Sequence, residues 1–435
     1  MHYRRGWIAL FLFSLAMINY IDRITLSFAI GPIAKEFDLN SVTKGYLFSS
    51  FLWTYTVCLI PMGMLVDRFG AKTIAGWGIA VWSAATVMTG FAVSYPSLLL
   101  TRLVMGAGEA TANPAGARVV RQWVPASERG VLNAIFNSGS YAGPAVCALG
   151  AGAIIEAYGW RALFVVAGGI GLLWLIAWVL VFDRPEKVNW LSVAERDKIL
   201  AERGAKVQDL DRNAEPVGLL RLLRTRTLWG LALTQGCNVY SQYLFLTWLP
   251  SYLQTSKHLT ILSTGFYTAV PYAIAVVLCI AMGRFSDRFL RNSGTATGRR
   301  RYLIAAAMLI ASVILAAPLV ENLWIILLLI TISLAGISST TSLNWALLND
   351  LLPNPRDVGK AMGFLVVGGN TFGLCAPIVT GYAIAWTGSY DWAFIIAGVL
   401  LLAGATATLT VTRRPMAVEH RHEGAALQAD GTIRA

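Results

Sequence analysis

Charge is what this 435-residue sequence has least of: 13% of its residues are Asp, Glu, Lys or Arg, while 56% are hydrophobic. Soluble domains carry about 25% charged residues, so water is not the main solvent of this chain. Histidine is equally scarce. The four present, His2, His258, His420 and His422, fall in loops or tails. The membrane interior therefore lacks the one side chain whose ordinary titration lies near neutrality. The five cysteines, Cys58, Cys147, Cys237, Cys279 and Cys375, sit in apolar runs at irregular spacing, with no Cys-x-x-Cys pair or neighbouring histidine cluster. Zinc and dithiol sites are not expected from that pattern. His-Glu-x-x-His, Gly-x-Ser-x-Gly and any clustered nucleophile and base are missing too, which argues against an enzyme. No metal and no cofactor is expected.

What the chain has in quantity is apolar length. Crossing a hydrocarbon core of about 30 Å takes about 20 residues of helix. Runs of that size lie at 6–30, 44–66, 73–93, 96–122, 130–155, 161–182, 227–253, 262–285, 300–320, 322–350, 360–386 and 391–412. The expected fold is an all-α membrane protein of twelve transmembrane helices. The long hydrophilic interval Asp183 to Arg226 divides them into two six-helix bundles, 1–182 and 227–412, joined by a linker at 183–226 and followed by a polar tail at 413–435. The start, Met1 to Arg5 and an apolar stretch, resembles a signal peptide only superficially, because the stretch runs to Ile30 and contains Asp22 and Arg23. It reads as the first membrane helix.

The net charge of +12 would suit a nucleic-acid partner if the basic residues formed one face. They do not. About 29 of the 35 lie in the loops on the side shared by both termini and the linker, and about 4 on the other side. That asymmetry places both termini and the linker in the cytoplasm and the chain in the cell inner (plasma) membrane. An internal repeat supports the division into halves. Gly63-Met-Leu-Val-Asp67-Arg68-Phe69-Gly70 and Gly283-Arg-Phe-Ser-Asp287-Arg288-Phe289 share Gly, Asp, Arg and Phe at an offset of 220 residues. Two similar bundles rocking about a site at their interface are the architecture of alternating access.

These residues resemble the major facilitator superfamily. The loop from Gly63 to Lys72 and its copy near Gly283 are similar to the superfamily's signature loop, which the resemblance implies is a conformational latch formed by Gly63, Asp67, Arg68, Asp287 and Arg288. Asn19-Tyr20-Ile-Asp22-Arg23, Arg102-Leu-Val-Met-Gly106-Ala-Gly108-Glu109-Ala110, and Arg129-Gly130 leading to Asn137-Ser138-Gly139 narrow the likeness. Together they resemble the anion:cation symporter branch, whose members carry hexuronates, aldonates, aldarates and some aromatic or dicarboxylic acids. The resemblance implies anion-binding roles for Arg23 and Arg102, proton coupling at Asp22 and Glu109, and substrate contacts from Tyr55, Gln235 and Asn370. Gly139-x-x-x-Gly143-Pro144 also resembles a motif of proton-driven drug antiporters, with its later glycines incomplete.

The same four charges stand out without the resemblance, because ionisable groups at mid-membrane cost at least about 2.5–3.5 kcal/mol each on insertion scales. Arg102 and Glu109 are seven residues apart, close to two helical turns, which predicts one face and a shared cavity wall about 10 Å long. Two guanidiniums make a permanently cationic patch suited to a carboxylate. With no histidine in the spans, proton coupling falls to a buried carboxylate, Glu109 first and Asp22 second. Gln235 and Asn370 read almost equally well as interhelical hydrogen bonders, and Tyr20, Tyr243, Trp248 and Trp345 as cavity aromatics or as packing. The leading expectation is a monomeric proton-coupled importer of a small organic anion such as a hexuronate, aldonate or aldarate. The alternatives are a proton-driven exporter of a drug or metabolite, a carrier of aromatic carboxylates, and a membrane receptor.

Overall fold

The computed structural model describes residues 6–124, 129–188, 190–193, 196–197, 199–200, 219–290, 299–352, 357–413 and 416. The polar tail beyond 416 and half of the linker lie outside the described residues. The helices are α1 (Gly6–Glu36), α2 (Ser41–Phe69), α3 (Ala71–Thr89), α4 (Tyr95–Glu109), α5 (Ala112–Trp123) and α6 (Arg129–Val181) in the first half. A short α7 (Leu219–Leu223) precedes α8 (Arg226–Thr255), α9 (Ile261–Leu290), α10 (Arg300–Ala311), α11 (Leu323–Leu351), α12 (Val358–Thr387) and α13 (Asp391–Val411).

Among the described residues these make twelve crossings. α6 is two of them, fused in the chain but turned at Gly159, whose φ of +81° is open to glycine and costly for other residues. α4 and α5 are together one crossing. The apolar pattern predicts a continuous helix over 96–122, yet the helix breaks after Glu109. Pro114 has no N–H to give the Ala110 carbonyl, so the hydrogen-bond ladder stops there. α10 likewise tightens into a 3-10 turn over Ser312–Leu319, ahead of Val320.

Where a helix sits decides how polar it is. Val57, Leu149 and Leu180 point outward from the bundle, as side chains facing hydrocarbon must. α8 is buried along almost its whole length, from Thr227 to Leu253, and α1 is buried without interruption from Ile21 to Ile30. Enclosed by protein, these two helices hold Asp22, Arg23, Gln235, Asn238 and Gln242 without exposing them to lipid. Glycines set their approach to neighbours. A Cβ at Gly139 of α6 would meet the Phe13 carbonyl of α1 at 2.5 Å, and one at Gly373 of α12 would meet the Tyr243 ring of α8 at 2.8 Å.

The two halves close on each other at the end away from the termini. There Ser49 donates to the Leu374 carbonyl at 2.7 Å, Ser27 donates to the Leu246 carbonyl at 2.7 Å, and the Tyr46 and Tyr382 hydroxyls meet at 3.3 Å. Backbone packs on backbone at this seam. A Cβ on Gly45 of α2 would fall 2.6 Å from the Pro377 carbonyl oxygen of α12, and one on Gly265 of α9 would strike the Ala148 carbonyl of α6. These two glycines differ by 220 residues, the offset of the loop repeat, so each half supplies the same close contact. Gly45→Leu combined with Gly265→Leu is expected to hold the seam apart. A Tyr46→Cys reporter, in a chain cleared of its native cysteines, should then react several-fold faster with an impermeant maleimide from that side. Unchanged labelling would show that closure does not need the bare backbone.

Candidate functional site

Below the seam, at mid-depth, a cavity of about 100 Å³ lies between the halves. Half-buried Asn137, Trp345 and Val366 border it toward the end that carries the termini. From the first half, α1 contributes Asn19, Tyr20 and Arg23, α2 contributes Tyr55, and α5 begins with Asn113 against the space. The second half answers with Gln235, Gln242 and Tyr243 of α8, Thr341, Ser342 and Trp345 of α11, and Asn370 of α12. Arg23 is the one charged side chain in this wall among the described residues.

Arg23 is bound from both halves. Its Nε donates to Glu109 Oε2 at 2.8 Å and its Nη1 donates to the Tyr243 hydroxyl at 2.8 Å. The rings of Tyr20, Phe51 and Tyr55 surround the guanidinium at 4.6, 5.0 and 5.1 Å, which favours a cation through their π faces. Arg23 and Glu109 are almost fully withdrawn from solvent. Separating them in place would strand two buried charges, so the pair holds unless a proton or an anion replaces one partner.

The other two charges form a second layer. Arg102 and Glu109 do share a face of α4, but neither lines the cavity. Arg102 is 2% exposed, lies behind Phe51 with the ring at 5.3 Å, and turns Nη1 to the Asp22 carbonyl at 3.4 Å and to Met105 Sδ at 3.1 Å. Asp22 is wholly buried beside the Trp82 indole, and neither carboxyl oxygen has a hydrogen-bond partner among the described residues. Gly106 and Gly108 bring this layer close. A Cβ at Gly108 would meet the Gly78 carbonyl of α3 at 2.9 Å, and one at Gly106 would strike the Phe51 carbonyl of α2.

The neutral wall has a polarity of its own. Asn344, outside the wall, donates to Gln235 Oε1 at 3.0 Å, and Asn113 donates to the Tyr55 hydroxyl at 2.8 Å. With Tyr243 accepting from Arg23, these bonds occupy oxygens of Gln235, Tyr55 and Tyr243 and leave the Gln235 N–H and the two phenolic O–H groups as donors in the wall. Asn370 Nδ2 and the Trp345 indole Nε1 are buried donors with no partner among the described residues. Tyr20, Tyr243 and Trp345 line the cavity, whereas Trp248 belongs to the seam, packing on Phe48 at 5.2 Å and donating to the Pro377 carbonyl. Sequence reading missed Asn113, Gln242, Thr341 and Asn344, whose only signal was polarity within apolar runs.

The signature loop is engaged within one half. Asp67 accepts from Arg118 Nη1 of α5 at 2.8 Å, while Arg68 lies over the Phe69 ring and Gly63 packs near Pro114. The side chains of Asp287 and Arg288 lie outside the described residues.

Comparisons with known proteins agree with this geometry. The Major Facilitator Superfamily model matches residues 12–354 and 294–431. The chain is 32% identical to an Escherichia coli protein named "Probable galactarate/D-glucarate transporter GudP" over 410 residues, 91% of this chain and 90% of that one. It is also 32% identical to the D-galactonate transporter of Escherichia coli O6:H1, over 94% of this chain and 96% of that one. A bacterial homolog of the human lysosomal transporter Spinster, solved in an inward-facing and occupied conformation, superposes with a TM-score of 0.73 at 19% identity, covering 94% of this chain and 97% of that one. Twelve crossings in two repeated halves, a polar cavity between them and these matches lead to one conclusion: the chain belongs to the Major Facilitator Superfamily and is a multi-pass membrane transporter, not an enzyme.

Proposed function

We propose that the chain is a proton-coupled symporter that imports a sugar acid, such as a hexuronate, aldonate or aldarate, across the inner membrane by alternating access, with both termini cytoplasmic. The observation that carries this reading is the cavity wall, which among the described residues holds one guanidinium, no carboxylate, and N–H and O–H groups of Gln235, Tyr55 and Tyr243 whose oxygens already accept a hydrogen bond. A carboxylate fits the guanidinium and hydroxyls fit the donors. The names of the relatives point to the same class of cargo. A cationic drug would meet Arg23 and find no counter-ion in the wall, which disfavours the exporter reading.

Coupling follows from competition for Arg23. Glu109 and Tyr243 take two of its five N–H groups, and the cargo carboxylate takes those that remain. When Glu109 carries a proton it no longer neutralises Arg23, and the anion binds more tightly. By reciprocity the bound anion strengthens the hold on that proton. Asp22, without a donor at either oxygen among the described residues, is the second proton site. Arg102 adds a fixed charge behind Phe51 that favours the anion at longer range. Gly63, Asp67 and Arg68, with their copies at Asp287 and Arg288, serve as the latch between states.

Purified protein in liposomes should accumulate at least one sugar acid when a pH gradient is imposed and only equilibrate it without one; accumulation indifferent to the gradient would remove the proton from the mechanism. Glu109→Gln and Asp22→Asn are expected to keep cargo exchange and lose uphill accumulation, whereas Arg23→Ala should lose binding. Asn344→Leu tests the donor-facing wall from outside it. Freed from Asn344, the Gln235 amide can turn its oxygen to the cargo, and the loss of about one hydrogen bond, about 0.5–1.5 kcal/mol, should raise KM about two- to tenfold at unchanged expression.

A further inference from the structure

The distribution of charge around the cavity limits the cargo further. Among the described residues the charged groups buried around the cavity, Asp22, Arg23, Arg102 and Glu109, belong to α1 and α4 of the first half, while buried Arg300 and Asp357 stand at the starts of α10 and α12 and do not line it. The facing wall, from Gln235, Gln242, Thr341, Ser342, Trp345 and Asn370, is neutral. From these observations we infer that the transporter selects monoanionic polyhydroxy acids, aldonates and hexuronates, and rejects the aldarates that carry a second carboxylate at the far end of the chain. The inference rests on the sugar-acid reading and narrows it.

One carboxylate of any such cargo sits on Arg23. In an extended six-carbon acid the opposite end then reaches the second half, where amide, indole and hydroxyl groups wait. For an aldonate that end is a primary alcohol, for a hexuronate an aldehyde or ring oxygen, and neutral donors such as Asn370 Nδ2 and Trp345 Nε1 satisfy either. An aldarate brings an ionised carboxylate there instead. Burying it without a cation costs more than neutral hydrogen bonds return. Arg102 cannot serve that end, because it lies on Arg23's side of the cavity, behind Phe51, with Nη1 already turned to Asp22 and Met105. The wall agrees with one charge: release of Glu109 frees Arg23, which one carboxylate matches, while Asp22 and Arg102 do not line the cavity and meet no part of the cargo.

The test is equilibrium binding to the full-length protein in detergent at neutral pH, followed by the wall's own tryptophan fluorescence, with probes that differ only at the far end. D-gluconate is compared with D-glucarate, and D-galactonate with galactarate. The monoanion of at least one pair should bind at least about tenfold more tightly than its dianion. Ser342→Lys and Thr341→Lys, which place a cation on α11, should shift the preference toward the dianion, by direct pairing across the cavity. Dianions that bind wild type as tightly as their monoanions overturn the inference, as does a preference untouched by either lysine. Should neither sugar-acid series bind, the sugar-acid reading fails separately, and benzoate against phthalate then applies the same one-charge rule to aromatic cargo, with equal binding overturning it.

Discussion

The contact on which the rest of this structure depends is the bond from Arg23 to Glu109, made inside a membrane and shared with Tyr243 across the interface between the halves. A guanidinium at this depth keeps its proton at any working pH, so it is a fixed charge that something must always answer. In the present conformation Glu109 answers it, with three aromatic rings around and a hydroxyl from the opposite half completing the cage. Glu109 reaches Arg23 of α1 from an α4 that is packed closely on α2 and α3. Gly106 permits the approach to α2 and Gly108 the approach to α3, and the break caused by Pro114 ends α4 at Glu109 itself.

Much of the architecture was legible in the sequence because lipid imposes a length on every crossing. The two halves were legible because the loop at Gly63 recurs at Gly283. Helical periodicity placed Arg102 and Glu109 on one face of α4, and they share it. What periodicity does not reveal is which layer that face belongs to. Phe51 of α2 stands between Arg102 and the cavity, and nothing in the spacing of α4 records a residue on another helix. The break after Glu109 was hidden for a related reason: the apolar run continues through Pro114, so composition alone sees one span. Asn344 shows a third kind of blindness, since its role is to orient Gln235, which a list of cavity candidates does not contain.

The repeat also explains how a closed seam is made without a special motif. Gly45 and Gly265 occupy equivalent places in the two halves, and each allows its helix to rest on a carbonyl of the partner bundle. Contacts of this kind depend on shape and not on charge, so the seam can open without exposing an unpaired ion to lipid. Serine hydroxyls at Ser27 and Ser49 add hydrogen bonds to backbone carbonyls across the seam. The energy separating open from closed stays small under these conditions, as a carrier that must visit both requires.

Placing the buried charges around the cavity in one half has a mechanical consequence. When the halves rock, groups within the first bundle keep their mutual distances, so the balance among Asp22, Arg23, Arg102 and Glu109 does not depend on which side the cavity faces. Of the bonds these four groups make among the described residues, the one from Arg23 to Tyr243 crosses the interface and must be remade. On the proposed symport reading, proton and cargo compete for one guanidinium inside a rigid body, and the state of that competition reaches the second half through the Tyr243 hydroxyl and the cargo itself. An anion that bridges from Arg23 to Asn370 or Trp345 takes over the role of Tyr243 and ties the halves together by its own length. Recognition of the cargo and permission to move are then the same contacts, which makes the far end of the cargo as decisive for transport as its carboxylate.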